Sequence, residues 1–274
     1  MADDDRSIMA ATLLRNMKII GHLPTVARTW CVLMSLSMLG LSGCSWLPSQ
    51  TSRDGPPVPD RLPLVFQAAD KARWEAMPLP GKPRTAFRHT THDGRKSLEA
   101  RAQSSASMLR QRVRVDAQAL GWLSFQWQVD QLIEGADMRL REREDSPARV
   151  VLAFDGDRSQ FSARNAMLNE LTRTLTGEDM PYAMLMYVWS NDLPVETVIV
   201  NPRTDRIRKI VVESGSARLK QWLHYKRDVR ADFERAFGEP PQTLQGVAIM
   251  TDSDNTHGFA RAWYGEIRLD ARSP

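Results

Sequence analysis

Three oxygen-bearing side chains stand close together near the C-terminal end of the chain. Asp252, Asp254 and Asn255 lie in residues 251–256, directly after the apolar run 247–250. Carboxylate and amide oxygens at this spacing are ligands for a hard cation such as Ca²⁺, although the glycine and distal glutamate of an EF-hand loop are missing. The same residue types also form turns in which Asx side chains bond their own backbone. The segment therefore predicts either a calcium site or a polar turn.

Five further residues are candidate ligand contacts. Arg149 begins a predicted strand, and its guanidinium can clamp a carboxylate or phosphate or form an ion pair with a neighbouring acid. Trp222 has a ring on which a sugar can stack if it is exposed, and Trp189 could line a pocket, whereas burial in a core is the usual role of tryptophan. His257 is either part of the 252–257 site or a solvated loop residue. If Glu213 and Arg149 converge with the aspartates on one concave face, we expect a ligand site there.

The sequence contains no established catalytic motif. Gly-x-Ser-x-Gly, His-Glu-x-x-His and a phosphate-binding loop are all missing. Acids that could act in pairs are numerous, but glycosidase chemistry needs two of them roughly 5–10 Å apart, which a sequence does not reveal. The sequence therefore favours a non-catalytic protein and leaves enzymatic activity as the alternative.

The N-terminal region carries the signals for export and lipid attachment. Residues 30–41 form an apolar run that is too short to span a bilayer as a helix, which takes about 20 residues, and is typical of a signal peptide. The run leads into Leu41-Ser42-Gly43-Cys44, which matches the bacterial lipobox. We expect residues 1–43 to be a lipoprotein signal peptide and lipid on Cys44 to hold the mature chain on a membrane.

Residues 44–63 are predicted to be a proline-rich tether. Five prolines lie between residues 46 and 63, and such sequences are semi-extended spacers. Ser45, directly after the lipidated cysteine, is the usual residue for transport to the outer membrane, where the protein would face the periplasm. Residues 64–274 are predicted to form a single domain.

The overall composition is that of a folded protein. The chain is 42% hydrophobic and 26% charged, with 37 basic and 33 acidic residues. Since the basic residues are scattered among acids, no nucleic-acid partner is expected. The two cysteines, Cys31 and Cys44, precede the domain, which therefore has no disulfide, cysteine zinc site or catalytic thiol. The composition leaves the oligomeric state open.

Alternating apolar and polar residues predict a protein rich in strands. The pattern is plainest in residues 123–129, where Leu123, Phe125, Trp127 and Val129 share one face. Ten strands are predicted: 84–90, 96–102, 108–115, 123–129, 149–154, 181–189, 196–200, 206–212, 244–251 and 261–269.

Two helices interrupt the strands. Residues 163–174 carry Ala166, Leu168, Leu171 and Leu175 at helical spacing. Residues 228–237 have an N-cap aspartate and are followed by Gly238. Too few helices alternate with the strands for a doubly wound α/β fold. The predicted fold is mostly β, a two-sheet antiparallel β-sandwich of the jelly-roll, galactose-binding-like type with two inserted short helices.

Several short segments carry a family resemblance. They are 105–107 (SAS), 123–127 (LSFQW), 145–150 (DSPARV) with 154–156 (FDG), 181–189 (PYAMLMYVW), 213–215 (ESG), 227–229 (RDV), 237–240 (FGEP) and 250–256 (MTDSDNT). Together they resemble the bacterial family called domain of unknown function 3047. The resemblance implies a secreted or membrane-attached β-sandwich and no particular activity. Ser146 stands where the family leads us to expect a second acid after Asp145, which weakens a metal or acid role for that loop.

Three functions remain in competition at this point. The leading hypothesis is a non-catalytic cell-envelope lipoprotein that binds a ligand, with a glycan as the candidate, because residues 262–269 look like the last strand of carbohydrate-binding jelly rolls. The second is a glycan-active lyase or hydrolase on the same scaffold, which needs two acids or an acid–arginine pair in one cleft. The third is a structural or assembly lipoprotein.

Overall fold

The structure, a computed structural model, describes residues 59–272. The signal peptide, Cys44 and most of the tether lie outside these residues, so their roles remain predictions. The described part contains thirteen strands and two α-helices. They are β1 (Leu64–Phe66), β2 (Glu75–Pro78), β3 (Ala86–His92), β4 (Arg95–Gln103), β5 (Ala106–Val115), β6 (Leu120–Val129), β7 (Ser146–Phe154), α1 (Ala163–Thr176), β8 (Ala183–Ser190), β9 (Val198–Val200), β10 (Ile207–Ser214), β11 (Leu223–Asp228), α2 (Val229–Phe237), β12 (Leu244–Asp252) and β13 (Phe259–Ala271).

The strands form two sheets. Sheet 1 has the order β11-β6-β13-β4-β3, and β1 pairs with the end of β13. Sheet 2 has the order β2-β5-β12-β7-β8-β10-β9. All neighbours are antiparallel except β8 and β10, which run parallel. The parallel pair arises because β9 returns along the edge of the sheet and pairs with β10 instead of β8.

The hydrophobic core lies between the two sheets. Trp127 of β6 and Trp189 of β8 meet there with ring centroids 6.5 Å apart, and neither has any exposed surface. Phe125 stacks against Tyr187 at 5.6 Å in the same layer. These large rings from both sheets supply most of the apolar area that stabilises the sandwich.

Sheet 2 has a second buried face, on the side away from sheet 1. Met138, Leu193 and Ile199 pack there against strand residues that include Met186 and Val188. The loop between β6 and β7 and the loops that flank β9 supply this cover. The central strands of sheet 2 are therefore buried on both faces, which is why β8 reads as a continuous apolar run rather than an alternation.

The two helices begin and end as their sequences predict. The Asp228 side chain accepts from the Ala231 N–H at 3.0 Å and caps α2, and Gly238 ends the helix in the left-handed region. Ser162 caps α1 in the same way, and Gly177 ends it. Within residues 59–272, neither helix is long and apolar enough to cross a membrane.

The prediction of a mostly β, two-sheet sandwich with two helices is confirmed, and three details differ. The short strands β1 and β2 and the strand β11 were not predicted, because three or four residues give little periodicity and β11 is charged on its exposed side. The β8–β10 pair is parallel. The predicted inward face of α1 was wrong, since Leu171 and Leu175 are 53% and 58% exposed.

Candidate functional site

The outer face of sheet 1 carries aromatic rings beside polar side chains. Because side chains alternate along a strand, β6 turns its even-numbered residues from Trp122 to Gln128 away from the core. The strand register places Gln128 opposite Trp263 of β13 and Gln126 opposite His224 of β11. We call this surface the aromatic face. Among its rings, those of His92, Trp222 and Trp263 lie together, and Trp122 and His224 lie elsewhere on the same face.

The three rings form a compact group at the centre of the aromatic face. His92 stacks on Trp263 with ring centroids 3.8 Å apart and an interplanar angle of 2°, and it lies 6.3 Å from Trp222. Arg261 covers the other available surface of Trp263 at 4.5 Å from its centroid. Trp263 is therefore buried by its neighbours, whereas Trp222 is partly exposed and offers ring surface to a ligand.

A groove of about 420 Å³ adjoins the rings. Its polar lining consists of Ser124, Gln126, His224, Lys226, Glu266 and Arg268. Arg95 joins the groove to the rings, because it donates to the Gln126 Oε1 at 2.8 Å, lies 3.0 Å from the His224 Nε2 and sits 5.3 Å from the Trp222 centroid.

Gly265 makes room for this arrangement. A Cβ atom at this position would lie 2.5 Å from the Gln126 Cγ, closer than real side chains approach. The glycine therefore allows the Gln126 side chain to lie across β13 and reach Arg95.

Four buried polar atoms of the aromatic face lack a hydrogen-bond partner among residues 59–272. They are the Nε2 of His92, the Oγ of Ser97, the Oε1 of Gln128 and the Nε1 of Trp222. The Asp93 carboxylate lies 3.6 Å from the His92 Nε2. An unpaired buried polar group costs about 1–3 kcal/mol, so four on one surface are unusual. Because these atoms have almost no accessible surface, a ligand reaches them only when neighbouring side chains move.

A second polar assembly lies on the outer face of sheet 2, where loops cover it. Arg149 of β7 donates from Nε and Nη2 to the two carboxylate oxygens of Asp252 of β12 at 2.8 and 2.7 Å. Arg149 is 2% exposed and Asp252 is 3% exposed. The Glu144 carboxylate accepts from Lys209 at 2.5 Å and from Arg203 at 2.6 Å. We call this assembly the ion cluster.

The predicted metal loop is part of the ion cluster. Asp145 accepts four hydrogen bonds, from the backbone N–H groups and the side chains of Asn255 and Thr256. Asp254 is paired with Lys82. Asp145, Asp252 and Asp254 each offer a carboxylate oxygen, and these atoms lie within 4.8 Å of one another. These three carboxylates could hold a cation, but they already accept from donors of the protein, including Arg149 and Lys82.

Burial shifts the protonation of the ion cluster. It raises the pKa of the Asp252 carboxyl to about 7, against the lowering effect of Arg149, and the nearby Asp145 charge acts in the same direction as burial. Burial, together with Arg149, lowers the pKa of Lys209 to about 8, against the raising effect of Glu144. Facing Asp252 and Glu144, Arg149 has a raised pKa although its burial alone would lower it.

The predicted site residues do not converge on one concave face. Arg149, Asp252, Asp254 and Asn255 share the ion cluster, as the sequence suggested for an acid–arginine group. Glu213 lies elsewhere and accepts from Tyr225 and Arg218 at 2.7 and 3.0 Å.

The other three predicted ligand contacts, Trp189, His257 and Trp222, also lie in different parts of the domain. Trp189 is fully buried in the core and donates to the Gly215 carbonyl, so the structure gives it no route to a ligand. His257 is exposed in the loop between β12 and β13. Trp222 is the one predicted ligand contact that lies on the aromatic face.

Sequence reasoning missed the rest of the aromatic face. His92 and Arg95 flank the turn between β3 and β4, and they meet Trp222 only because five strands lie side by side in sheet 1. One local signal was available. The alternation in β13 places Arg261, Trp263 and Arg268 on one side of the sheet, apart from an irregularity in its pairing between Tyr264 and Ile267.

We expect added Ca²⁺ to leave the thermal unfolding midpoint of the protein unchanged. The reason is that Arg149 and Lys82 already pair with Asp252 and Asp254, so a cation must displace them. Differential scanning calorimetry with Ca²⁺ and with a chelator checks this. A rise of several degrees that the chelator reverses, and that Asp145→Asn removes, would establish a calcium site instead.

We expect the ion cluster to make stability depend on pH below neutrality. Between about pH 4 and pH 7 the folded protein binds a proton at Asp252 that the unfolded chain releases, so this group makes the free energy of unfolding fall as pH rises. Urea unfolding of the wild type and of Asp252→Asn at both ends of the interval measures the effect. The difference in the free energy of unfolding between the wild type and Asp252→Asn should change by about 1 kcal/mol or more from one end of this pH interval to the other. If that difference stays the same, the raised pKa of Asp252 is contradicted.

The fold and the two polar assemblies define a β-sandwich protein with an open aromatic surface on one sheet and a buried ion cluster on the other. The family model described as Protein of unknown function (DUF3047) matches residues 72–268. The chain belongs to this family. No curated protein matches the sequence.

Several solved structures show a distant likeness. A low-affinity xylan-binding module, CBM86 from Roseburia intestinalis, is 10% identical, covers 77% of this chain and 97% of its own and has a TM-score of 0.31. An adhesin domain of Lys-gingipain from Porphyromonas gingivalis is 14% identical, with coverages of 76% and 98% and a TM-score of 0.34. The xyloglucanase domain of the effector NopAA from Sinorhizobium fredii is 7% identical, with 76% and 99% covered and a TM-score of 0.34. Likeness at this level does not indicate a shared activity.

Proposed function

We propose that this protein is a lipid-anchored component of the cell envelope whose sandwich binds a glycan on the aromatic face. One observation carries the proposal. The partly exposed ring of Trp222 lies beside a groove lined by polar side chains, on a face that also holds three other buried polar atoms without partners among the described residues.

This combination matches the chemistry of a sugar. A pyranose ring has an apolar face that packs on an indole ring and a rim of hydroxyl groups that both donate and accept hydrogen bonds. Trp222 supplies the ring surface. Gln126 and His224 line the groove and supply donors and acceptors for the hydroxyl groups of a sugar.

The size and charge of the groove restrict the range of candidate ligands further. A volume of about 420 Å³ lies in the range of small-molecule sites and suits one or two sugar units of a longer chain. Lys226 and Arg268 line the groove together with a single acid, Glu266. Glycans that carry a carboxylate, such as those with uronic acids, therefore belong among the ligands to be tested.

A binding role fits the position of the acids better than a catalytic one. Hydrolysis by the usual route needs two carboxyl groups that face the same sugar ring. Among the described residues that line the groove, Glu266 is the one acid. The acid–arginine pair of Asp252 and Arg149 is buried on the other sheet and occupied by its own partners.

The membrane anchor is the second part of the proposal. It rests on the lipobox at residues 41–44 and on the apolar run before it. Lipid on Cys44 would hold the mature chain on the periplasmic side of the outer membrane, with the proline-rich tether as spacer. Mass spectrometry of the chain extracted from bacterial membranes tests the lipid, and Cys44→Ser is the control that cannot receive it.

A glycan array tests the binding function. The full chain, purified in detergent, is applied to bacterial envelope and plant polysaccharides in parallel with Trp222→Ala and His224→Ala. We expect binding to a small group of glycans that both substitutions weaken. His257→Ala is the matched control, because His257 is an exposed histidine outside the aromatic face. Silence across all glycans, or equal binding by all variants, would contradict the proposal.

A further inference from the structure

Helix α1 packs with its polar side against the protein. Asn165 and Asn169 are 2% and 9% exposed and point inward. Asn165 donates to Asp205 at 2.6 Å and accepts from Thr204 at 2.8 Å. Asn169 donates to Asp179 and accepts from the Met180 N–H. The hydrogen bonds of these two asparagines hold the helix in place, so its orientation is fixed.

One exposed stripe of α1 is apolar and runs beside the exposed polar residues Glu170, Arg173 and Thr174. Met167, Leu171 and Leu175 are 65%, 53% and 58% exposed, and their spacing of four residues places them in one row along the helix. Single exposed apolar residues are common on protein surfaces. A row of three on a helix that buries asparagine instead is the reverse of the usual pattern and indicates a surface that contacts something apolar.

The row lies at the end of the sandwich where the chain enters the domain. Asp60 exchanges two hydrogen bonds with Arg114, at 2.6 and 2.8 Å, beside the last residue of β5. Leu244 pairs with the ends of both β5 and β7. Since α1 lies in the connection from Phe154 of β7 to Ala183 of β8, it emerges at this same end.

Other exposed apolar side chains share this location. Of the seven large apolar residues that are exposed within residues 59–272, five lie at the end where the chain enters: Trp122, Met167, Leu171, Leu175 and Val200. The other two, Leu140 and Val195, lie in or beside the loops of the opposite end. Among residues 59–272 the exposed large apolar residues are therefore concentrated at the end of the domain where the chain enters.

We propose that α1 lies on the lipid surface that holds the anchor, with Met167, Leu171 and Leu175 inserted into it. This inference rests on the proposed lipid at Cys44. The 15 residues from Cys44 to Pro59 span about 45 Å at most in the extended form of proline-rich chains, so the entering end of the domain stays within reach of the bilayer.

Lipid attachment also removes the need for strong binding by the helix. An anchored domain meets the membrane at a high effective concentration, so a weak contact suffices. Arg164 lies next to the apolar row on the helix surface and can approach anionic headgroups, whereas Arg173 is paired with Glu170 at 2.7 Å. A helix of this kind rests about 5–10 Å deep, at the boundary between headgroups and acyl chains.

Spin labelling of the full chain in its native membranes tests the inference. A nitroxide is attached to Leu171→Cys and, as the matched control at the opposite end, to Leu140→Cys, which is similarly exposed. Collision rates with oxygen, which concentrates in lipid, and with a water-soluble nickel complex report the surroundings of each label. We expect the oxygen-to-nickel ratio to be several-fold higher at position 171 than at position 140.

Three outcomes would overturn the inference. Equal ratios at both positions would place α1 in water. A label at position 171 that is shielded from both reagents would assign the helix to a protein partner. If the chain stays in the supernatant and the nitroxide also labels Cys44, then Cys44 carries no lipid and the proposed anchor is wrong. This result is distinguishable from the first two outcomes, in which the chain is bound to the membrane.

Discussion

Replacing Arg149 with methionine is expected to lower the free energy of unfolding by about 3–5 kcal/mol near neutral pH. The arginine is 2% exposed and makes a two-point contact with Asp252, so its loss leaves a buried carboxylate without its charged partner. The cost should be largest above pH 7, where Asp252 of the wild type is charged, and should shrink toward pH 6, because without Arg149 the Asp252 pKa lies further above 7 and the carboxyl takes up a proton. Urea unfolding of both proteins at pH 9 and at pH 6 measures the change.

An exposed ion pair supplies the control for this prediction. Arg173 and Glu170 on α1 are 56% and 62% exposed and lie 2.7 Å apart, so Arg173→Met should cost less than about 1 kcal/mol. The double variant Arg149→Met with Asp252→Leu should lose less stability than the sum of the two single changes, because neither charge is then left alone. Strict additivity of the two single changes would mean that the pair is not coupled.

Replacing Trp222 with alanine is expected to weaken glycan binding by about tenfold to a hundredfold. Loss of a central aromatic contact typically costs about 1.5–3 kcal/mol of binding free energy. Trp222 is a partly exposed ring of the aromatic face, and Arg95 links it to the groove. Isothermal titration of the glycan identified on the array measures the dissociation constant of each protein.

Two variants make this result specific. Trp222→Phe keeps a ring but loses the indole N–H, so we expect an intermediate affinity. Met167→Gln changes an exposed apolar residue away from the aromatic face and should leave affinity unchanged. If Trp222→Ala binds as tightly as the wild type while its fold is intact, the aromatic face is not the binding site.

The sequence predicted those parts of the fold that depend on local patterns. The alternation in residues 123–129 placed Leu123, Phe125 and Trp127 in the core, where they are found. Asp228 and Gly238 marked the ends of α2 because capping depends on nearby residues alone.

Features that depend on tertiary contacts could not be read in the same way. Leu171 and Leu175 have the spacing of a core-facing helix, yet α1 turns them outward because Asn165 and Asn169 find partners in Asp205 and Asp179. No local pattern reveals such partners. The parallel pairing of β8 with β10 likewise depends on which strand occupies the sheet edge.

In the candidate site, too, the sequence indicated residue types but not the contacts between distant residues. The acid–arginine group was suggested by Arg149 and the aspartates, but the separation of 103 residues between Arg149 and Asp252 hid their direct contact. The aromatic face draws on β3, β4, β6, β11 and β13, with Trp222 directly before β11, so its members come together only through the order of sheet 1. Trp222 was identified as a candidate because of its residue type and not because of its surroundings.

The most direct test of the proposed function is the indole N–H resonance of Trp222 in a ¹⁵N-labelled protein. On saturation with the bound glycan this signal should shift, because the sugar packs on the partly exposed indole ring that carries the N–H. The signal of Trp189, which is buried in the core and donates to Gly215, should stay in place. A bound glycan that leaves the Trp222 signal unmoved would contradict a binding site on the aromatic face.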